Sequence, residues 1–280
     1  MSELADKRVA AVAAEVLGAA PGPKESLDLD SLTHTELVLG LEDAFGIRLP
    51  DDAPVHSLRH AAALVAGEGS ARGPKSMSDI GRYQRLVEAG VSGPLARYYR
   101  LEVRDEARVP RRGPVVLAAN HDSLLDIPLL VWASPRPVRF MAKQELFDGA
   151  ISSWVFRATG AFPVRRAGPD VMAVRTALEV LRRGRVLGMY PEGTRSPDLL
   201  PFRGGAAWLA LRSGAPLVPV GIRGTFEAMP RGSSKPRRGR VRIAFGEPIE
   251  VRQERDPRAR LSRAREITEA LRSAVDRLRS

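Results

Sequence analysis

Short apolar runs alternate with longer segments of helical periodicity over residues 77–280, and this alternation constrains the fold more than any other feature of the sequence. Four runs have the length and composition of buried strands: 115–119, 138–142, 186–190 and 217–222. Helical patterns begin after Asp170 and after Asp256, and aspartate is a favoured N-cap residue. Strands that alternate with helices in this way predict an α/β domain.

The first 66 residues carry only helical patterns. Valines at positions 9, 12 and 16 share one helical face. Asp30 can cap a second helix, which Gly46 ends, and Ser57 can cap a third. These patterns predict a small all-α bundle over residues 1–66.

A short segment rich in glycine, serine and proline separates the two patterns. Residues 67–76 have no apolar period, and the charge changes sign here. Residues 1–70 hold 5 Lys and Arg against 12 Asp and Glu, whereas residues 71–280 hold 39 against 21. The sequence therefore predicts an acidic helical domain at 1–66, a flexible linker at 67–76 and a basic α/β domain at 77–280.

Composition excludes several kinds of chemistry. The chain has no cysteine, which excludes disulfides, thiolate metal sites and a cysteine nucleophile, and its four histidines make a multi-histidine metal site improbable. We therefore expect no metal. The net charge of +11 favours anionic partners, but no nucleic-acid-binding motif is present, so we expect no nucleic acid partner. The sequence contains no run of about 18 apolar residues and no signal-peptide pattern, and we expect a cytoplasmic protein.

His121 comes just after the predicted strand at 115–119, and open α/β sheets bind ligands at the carboxyl ends of their strands. Asp126 lies five residues later, and on one continuous helix this step would turn the two side chains about 140° apart. The two side chains meet only if His121 lies in a loop. Asp126 can then accept from one ring nitrogen and leave the other as a base. On this pair alone, an equal alternative is that Asp126 caps a helix and His121 fills a turn.

Two further turns carry groups suited to an anionic substrate. The turn at 190–196 offers a carboxylate, a glycine backbone, a hydroxyl and a guanidinium, and Arg195 can bind phosphate through two hydrogen bonds. The turn at 160–166 adds two arginines, which otherwise indicate a solvated loop.

Together these segments resemble the lysophosphatidate acyltransferase family of glycerolipid acyltransferases, over roughly residues 95–250. The segment 120–126 matches the family's His-x4-Asp motif, and the later blocks of the family match at 162–165, 191–196 and 218–221, followed by a further similarity at 202–205. The resemblance implies an α/β acyltransferase domain with a mixed sheet flanked by helices. It also implies an O-acyltransferase of the 1-acylglycerol-3-phosphate type, which acts in phospholipid biosynthesis.

The resemblance implies a role for each motif residue. His121 would deprotonate the acceptor hydroxyl, and Asp126 would orient the imidazole and stabilise its charged form. The residues implied in substrate binding lie in the two later turns: Arg165, Glu192, Gly193, Thr194 and Arg195. The arginines, with the glutamate and the threonine, would position the acceptor's phosphate, and the glycine turn would shape the site and donate to the oxyanion.

The expected reaction is direct transfer of a fatty acyl group from a phosphopantetheine thioester to a hydroxyl of a lysophosphatidate-like lipid. The donor would be an acyl carrier protein or acyl-CoA. The sequence has no cysteine and no Gly-x-Ser-x-Gly pattern, so it offers no obvious nucleophile for an acyl-enzyme.

The acidic domain resembles an acyl carrier protein over most of residues 3–66. The similarity lies in Asp30-Ser31-Leu32, Glu36-Leu37 and the run 41–50. By this resemblance Ser31 would carry 4′-phosphopantetheine, attached by a phosphopantetheinyl transferase, and would present an acyl thioester. Asp28 is a departure, because such carriers usually have glycine there. On spacing alone, the favoured interpretation is a capped helix start with an exposed serine.

Peripheral contact with the cytoplasmic face of the membrane is the expected location of such an enzyme. Six basic residues would face anionic headgroups: Arg231, Lys235, Arg237, Arg238, Arg240 and Arg242. A solvated basic loop explains them equally well. Two alternative functions stay open, namely acylation of a specialised-metabolite or amino-acid-lipid hydroxyl with the fused carrier, and a non-catalytic lipid-binding scaffold.

Overall fold

Helices and strands alternate through most of the chain, whose structure is a computed structural model that describes residues 3–50, 55–67, 88–149, 160–164, 170–230 and 237–280. The strands are β1 (Glu102–Arg104), β2 (Val115–Ala119), β3 (Val138–Lys143), β4 (Phe162–Val164), β5 (Val186–Met189), β6 (Leu217–Arg223) and β7 (Arg242–Phe245). The α-helices are α1 (Glu3–Leu17), α2 (Ser31–Phe45), α3 (Leu58–Ala66), α4 (Gly93–Tyr98), α5 (Asp126–Ala133), α6 (Val171–Arg182), α7 (Gly205–Ser213), α8 (Thr225–Ala228) and α9 (Pro257–Arg279).

One seven-stranded sheet organises the α/β part, in the order β1-β7-β6-β2-β5-β3-β4. All neighbouring strands run parallel except β6 and β7, which pair antiparallel. The predicted mixed sheet flanked by helices is therefore confirmed. In the register of the central strand, Ala118 pairs with Met189 and Ala119 pairs with Val220. The carboxyl ends of β2, β5 and β6 consequently lie side by side, so the loops that follow them meet at one edge of the sheet.

The four predicted strands correspond to β2, β3, β5 and β6, whereas β1, β4 and β7 are not predicted from the sequence. The three missed strands contain only three or four residues each. The predicted β5 is equally short, but the missed strands each contain a charged residue or a proline and therefore lack a continuous apolar run, so their pairing depends on the neighbouring strand rather than on their own pattern.

Helices cover both faces of the central strand. Successive side chains of a strand point to opposite faces, so Val116 and Ala118 pack with α6, α7 and α9, while Leu117 and Ala119 pack in a second apolar cluster with α4 and α5. All residues of β2 are buried. Burial on both faces explains why this strand is a continuous apolar run instead of an alternating one.

The second and third N-terminal helices begin and end where the capping residues predict. Asp30 accepts from the backbone N–H of Leu32 and Thr33, at 3.0 and 2.8 Å. Gly46 ends α2 in the left-handed conformation, with φ of 66°. Ser57 accepts from the backbone of the third helix at 3.2 Å. The helices are therefore present, and their independence as a bundle stays a prediction.

The N-terminal helices and the helices on one face of the sheet share a single apolar cluster. Val9 and Leu37 belong to the same cluster as Trp208 of α7 and Leu271 of α9. Most of the predicted linker at 67–76 lies outside the described residues, so the domain boundary stays a prediction. Among the described helices, none has the length and apolar content needed to cross a membrane.

Candidate active site

His121 and Asp126 meet at the carboxyl end of β2. His121 lies in the loop between β2 and α5, and Asp126 is the first residue of α5. The distance from His121 Nδ1 to Asp126 Oδ2 is 2.8 Å. Asp126 is fully buried and His121 is 8% exposed. The loop placement that the five-residue spacing requires is therefore present in the structure.

Asp126 holds the loop as well as the imidazole. Its Oδ2 also accepts from the backbone N–H groups of Asp122 and Ser123, each at 2.8 Å. Of the two alternatives from the sequence, the partner for His121 is therefore the one present, because Asp126 is the first residue of α5, whose N-cap is Leu125, and it accepts from residues that precede the helix. With Nδ1–H donating to this fixed carboxylate, Nε2 is the ring nitrogen that can accept a proton.

Glu192 joins the turn after β5 to the His121 loop. Its Oε1 accepts from the His121 N–H at 2.7 Å, and its Oε2 accepts from the Leu200 N–H at 2.9 Å. The Ser196 N–H donates to the His121 carbonyl at 2.9 Å. Burial raises the pKa of Glu192, against the lowering effect of these backbone donors. Both carboxylate oxygens already have backbone donors, and a contact of Glu192 with substrate stays a prediction.

Gly193 shapes the same turn. Its φ of +71° is in the left-handed region, and a Cβ at this position would lie 3.1 Å from Arg203 Nε. The Gly193 N–H donates to the Tyr190 carbonyl at 3.0 Å. This geometry supports the predicted role in shaping the turn but does not support donation by this N–H to an oxyanion.

The predicted phosphate-binding residues divide between described and undescribed parts of the chain. Thr194 and Arg195 follow Gly193 and are partly exposed. They belong to the turn after β5, at the same carboxyl edge of the sheet as His121. Arg165 lies outside the described residues, although β4 ends at the residue before it.

Asn120 anchors the loop to β6, a role that the sequence analysis missed. Its Nδ2 donates to the Ile222 carbonyl at 2.9 Å and to Asp122 Oδ1 at 2.8 Å, and its Oδ1 accepts from the Ile222 N–H at 2.7 Å. These bonds satisfy a fully buried amide on both sides. The position of Asn120 beside His121 was the available signal for this role.

The end of α9 reaches both the His121 loop and the loop after β5. Arg279 Nη2 donates to the Pro197 carbonyl at 2.7 Å and lies 3.5 Å from Asp122 Oδ2. Leu278 is seated against β6 so closely that a Cβ on Gly221 would lie 2.5 Å from it. No local signal could identify Arg279, because it is 157 residues from Asp122 in the chain.

Asp122 makes the stability of the protein pH-dependent. Burial raises the pKa of Asp122 from its ordinary 3.8 to about 7, and the Asn120 hydrogen bond opposes this shift. In the unfolded chain this carboxyl ionises at lower pH than in the folded protein, so its ionisation lowers the free energy of unfolding. This lowering is absent below about pH 4, grows up to about pH 7 and is constant above it.

We therefore expect Asp122→Asn to raise the free energy of unfolding by about 2–4 kcal/mol near pH 8 and by much less near pH 4.5. Urea unfolding at the two pH values measures the difference. Asp198→Asn, which removes an exposed carboxylate of the neighbouring loop, is the matched control. A gain of equal size at both pH values would contradict the assignment.

Comparisons with known proteins match this chain to acyltransferases. The profile of the Acyltransferase family matches residues 100–223. A 1-acyl-sn-glycerol-3-phosphate acyltransferase of Bacillus subtilis is 29% identical over 150 residues, which are 53% of this chain and 73% of that protein. A lyso-ornithine lipid O-acyltransferase of Pseudomonas aeruginosa is 36% identical over 124 residues, which are 43% of this chain and 47% of that protein.

A solved structure shows the same architecture. The crystal structure of the 1-acyl-sn-glycerophosphate acyltransferase of Thermotoga maritima matches with a TM-score of 0.57 and 27% identity, over 73% of this chain and 85% of that one. The chain thus spans most of the Thermotoga protein, about three quarters of the Bacillus protein and about half of the Pseudomonas protein. Residues 100–223 therefore match the model of the Acyltransferase family, and the proteins that the chain resembles are named as O-acyltransferases.

Proposed function

We propose that this protein transfers a fatty acyl group from a phosphopantetheine thioester to a hydroxyl of a lysophosphatidate-like lipid. The observation that carries the proposal is the His121–Asp126 pair, 2.8 Å apart and held against the turn after β5 by Glu192. The names of the Bacillus and Thermotoga relatives support this class of acceptor.

His121 is the base of the proposed reaction. Its Nε2 takes the proton of the acceptor hydroxyl while the hydroxyl oxygen attacks the thioester carbonyl. The C–S bond then breaks, and the proton passes from the imidazolium to the leaving thiolate. Asp126 stabilises the imidazolium between these steps, because its carboxylate lies buried beside Nδ1. Arg195, and Arg165 beyond the described residues, would bind the phosphate of the acceptor.

An amino-acid lipid is the second candidate acceptor. The match to the lyso-ornithine lipid O-acyltransferase of Pseudomonas aeruginosa favours it. A panel of purified acceptors with one acyl donor, read by mass spectrometry of the products, separates the two. Acylation of lyso-ornithine lipid without acylation of lysophosphatidate would replace the first acceptor class by the second.

The fused carrier is the proposed donor, and the position of α2 supports this part. Ser31 is the exposed first residue of α2. The adjacent Leu32 packs at Gly204, where an added Cβ would lie 3.4 Å from its Cδ2. The residue before that glycine, Arg203, donates its N–H to the Pro191 carbonyl at 3.0 Å. Ser31 therefore lies next in sequence to a residue that packs on the 203–204 segment, and this segment is hydrogen-bonded to the turn that carries Glu192.

Ion pairs between α2 and the α/β part also support delivery of the acyl group from Ser31. The acidic side chains of α2 pair with arginines of the α/β part: Glu36 with Arg212 and Arg260, Glu42 with Arg175, and Asp43 with Arg212. Tethering raises the effective concentration of a donor to the millimolar range for short linkers. A phosphopantetheinyl arm on Ser31 would thus deliver its thioester to the attached site.

Discharge of a loaded carrier tests this delivery. After treatment with a phosphopantetheinyl transferase and acyl loading, we expect the intact mass to show one acyl-phosphopantetheine, which loses its acyl group when acceptor is added. Ser31→Ala should gain no mass, whereas Ser26→Ala, an exposed serine nearby, should behave as the wild type.

The two parts of the proposal fail separately. A loaded carrier that keeps its acyl group in the presence of acceptor would exclude delivery from Ser31. Turnover of acyl-CoA by Ser31→Ala would still establish the acyltransferase activity, and absence of turnover from either donor with every acceptor would favour a lipid-binding scaffold.

Peripheral membrane contact at the cytoplasmic face completes the proposal. Leu124, in the loop that carries His121, and Trp132, near the end of α5, are exposed large apolar side chains. Tyr98 is also exposed, and the Arg238 guanidinium lies 5.9 Å from the centre of its ring. Of the six predicted basic residues, Arg231 and Lys235 lie outside the described residues. Sedimentation with anionic vesicles, compared with neutral vesicles, tests the contact.

A further inference from the structure

A basic pocket lies at the ends of β1, β6 and β7, apart from the His121–Asp126 pair. Its volume is about 510 Å³, which is within the range of small-ligand sites. Four arginines and two glutamates line it: Arg100, Arg223, Arg240, Arg242, Glu102 and Glu227. The pocket therefore gathers more positive than negative side chains around one space.

Strand pairing places this pocket at the same edge of the sheet as the proposed active site. Arg223 is the last residue of β6 and pairs with Arg242, the first residue of β7, while the first residue of β1 pairs with Arg242 on the other side. Because β6 runs parallel to β2, its end and the loop after β2 lie at one edge. The Asn120 amide, directly before His121, binds the Ile222 backbone, directly before the end of β6. The pocket is thus a neighbour of the His121 loop.

The described carboxylates do not neutralise the arginines of this pocket. Arg223 and Arg242 lie opposite each other in an antiparallel pair, where like charges destabilise a sheet. Arg223 donates to the backbone carbonyl that follows α9. The guanidinium groups of Arg100, Arg240 and Arg242 have no hydrogen bond or ion pair with a described residue. Glu102 already pairs with an arginine of its own strand at 2.6 Å, so a net positive charge is left in the pocket.

Arg100 occupies a backbone position that favours glycine. Helix α4 ends in a Schellman motif, in which the Leu101 N–H donates to the Ala96 carbonyl at 2.8 Å. The Arg100 N–H donates to the Arg97 carbonyl at 3.2 Å, and the φ of Arg100 is +46°. Glycine adopts this left-handed conformation without the steric cost that a side chain adds. An arginine that is kept there at a cost in stability is typical of a ligand site.

Backbone contacts fix the walls of the pocket. A Cβ on Gly224 would lie only 2.1 Å from the Arg240 carbonyl oxygen, so the two backbones approach as closely as glycine permits. The Val241 N–H donates to the Tyr99 carbonyl at 3.1 Å, and the Glu102 N–H donates to the Val241 carbonyl at 2.9 Å. The backbone is therefore ordered before a ligand binds, which reduces the entropy lost on binding.

We infer that this pocket binds the phosphate of an anionic phospholipid headgroup and thereby holds the membrane surface beside the active site. A planar guanidinium can donate two parallel hydrogen bonds to a phosphate. The exposed ring of Tyr98, with the Arg238 guanidinium 5.9 Å from its centre, lies two residues before Arg100. Aromatic side chains favour the headgroup level of a membrane, so this ring favours a lipid over a free anion. The inference rests on the proposed membrane contact and assigns a defined site to it.

Arg100→Gly separates headgroup binding from folding. Because glycine suits the left-handed backbone, the variant should unfold at about the same urea concentration as the wild type. It should nevertheless bind vesicles of phosphatidylglycerol and phosphatidylcholine, mixed in equal parts, at least about fivefold more weakly, the effect of one basic residue at an anionic surface. Sedimentation with these vesicles, compared with pure phosphatidylcholine vesicles, measures the loss.

Three further variants complete the comparison. Arg242→Gln, on another wall of the pocket, should weaken vesicle binding in the same way, and it decides the question if Arg100→Gly does not fold. Arg97→Gln is the matched control, since it removes an exposed charge of α4 that does not line the pocket, and it should bind nearly as the wild type. His121→Ala should bind as the wild type, so that loss of catalysis and loss of binding are measured separately.

The outcomes that would overturn the inference are distinct. Equal vesicle binding by the control and both pocket variants would leave only diffuse surface charge. Thermal stabilisation of the wild type by inorganic phosphate, lost in Arg100→Gly without any difference in vesicle binding, would assign the pocket to a free anion. Equal sedimentation of the wild type with anionic and neutral vesicles would remove the membrane contact itself, whereas acyl transfer to an acceptor in solution would be a separate result.

Discussion

His121→Ala should lower the rate of acyl transfer by about 10² to 10⁴, the range expected when a general base is lost. The imidazole is the only histidine side chain in the described part of the site, and its partner Asp126 is held by three donors on one oxygen. Without the imidazole, the buried Asp126 carboxylate has no side chain through which the proton of the acceptor hydroxyl can be removed. The measurement is product formation by the purified protein, with acyl-CoA and with the loaded carrier.

Matched variants show whether the loss of rate in His121→Ala comes from the missing base. His56→Ala removes an exposed histidine of the N-terminal region and should leave the rate unchanged. Asp126→Asn keeps the size of the side chain but removes the charge that stabilises the imidazolium, and we expect a loss of similar order. Full activity of His121→Ala, in protein free of the host enzyme, would refute the assignment of the base.

Glu36→Ala should destabilise the protein by about 3–5 kcal/mol, the cost of leaving buried cations without their partner. Glu36 is fully buried, and its carboxylate accepts from the Trp208 indole, from Arg212 at 3.2 Å and from Arg260 Nε at 3.0 Å. Arg260 is itself only 4% exposed. The substitution therefore removes the anion on which α2, α7 and α9 converge. Urea unfolding measures the change.

The control for this prediction lies on the same helix. Asp43 pairs with Arg212 at 2.6 Å, but its side chain is 72% exposed. Asp43→Ala should therefore cost no more than about 1 kcal/mol, since solvent weakens the interaction. Similar losses for the two variants would show that the Glu36 cluster is not the main attachment of α2 to the α/β part.

The amino-acid sequence alone predicts the features that depend on neighbouring residues. Asp30, Ser57 and Asp256 cap their helices as the spacing indicates, because a capping bond joins residues only two or three positions apart. The long strands were also predictable, since burial on both faces leaves a continuous apolar run. The His121–Asp126 pair belongs to this group, because a five-residue loop can bring its two ends together by itself.

The tertiary structure alone decides which distant residues complete the site. Glu192 reaches His121 across 71 residues, and Arg279 reaches Asp122 across 157. Tyr190 faces the imidazole only because β5 pairs directly with β2. The periodicity of apolar residues along the chain does not predict the order of the strands in the sheet or the angle at which two helices pack. The sequence by itself determines the capped helices, the apolar central strands and the spacing of His121 and Asp126, while the order of the strands determines what surrounds that pair.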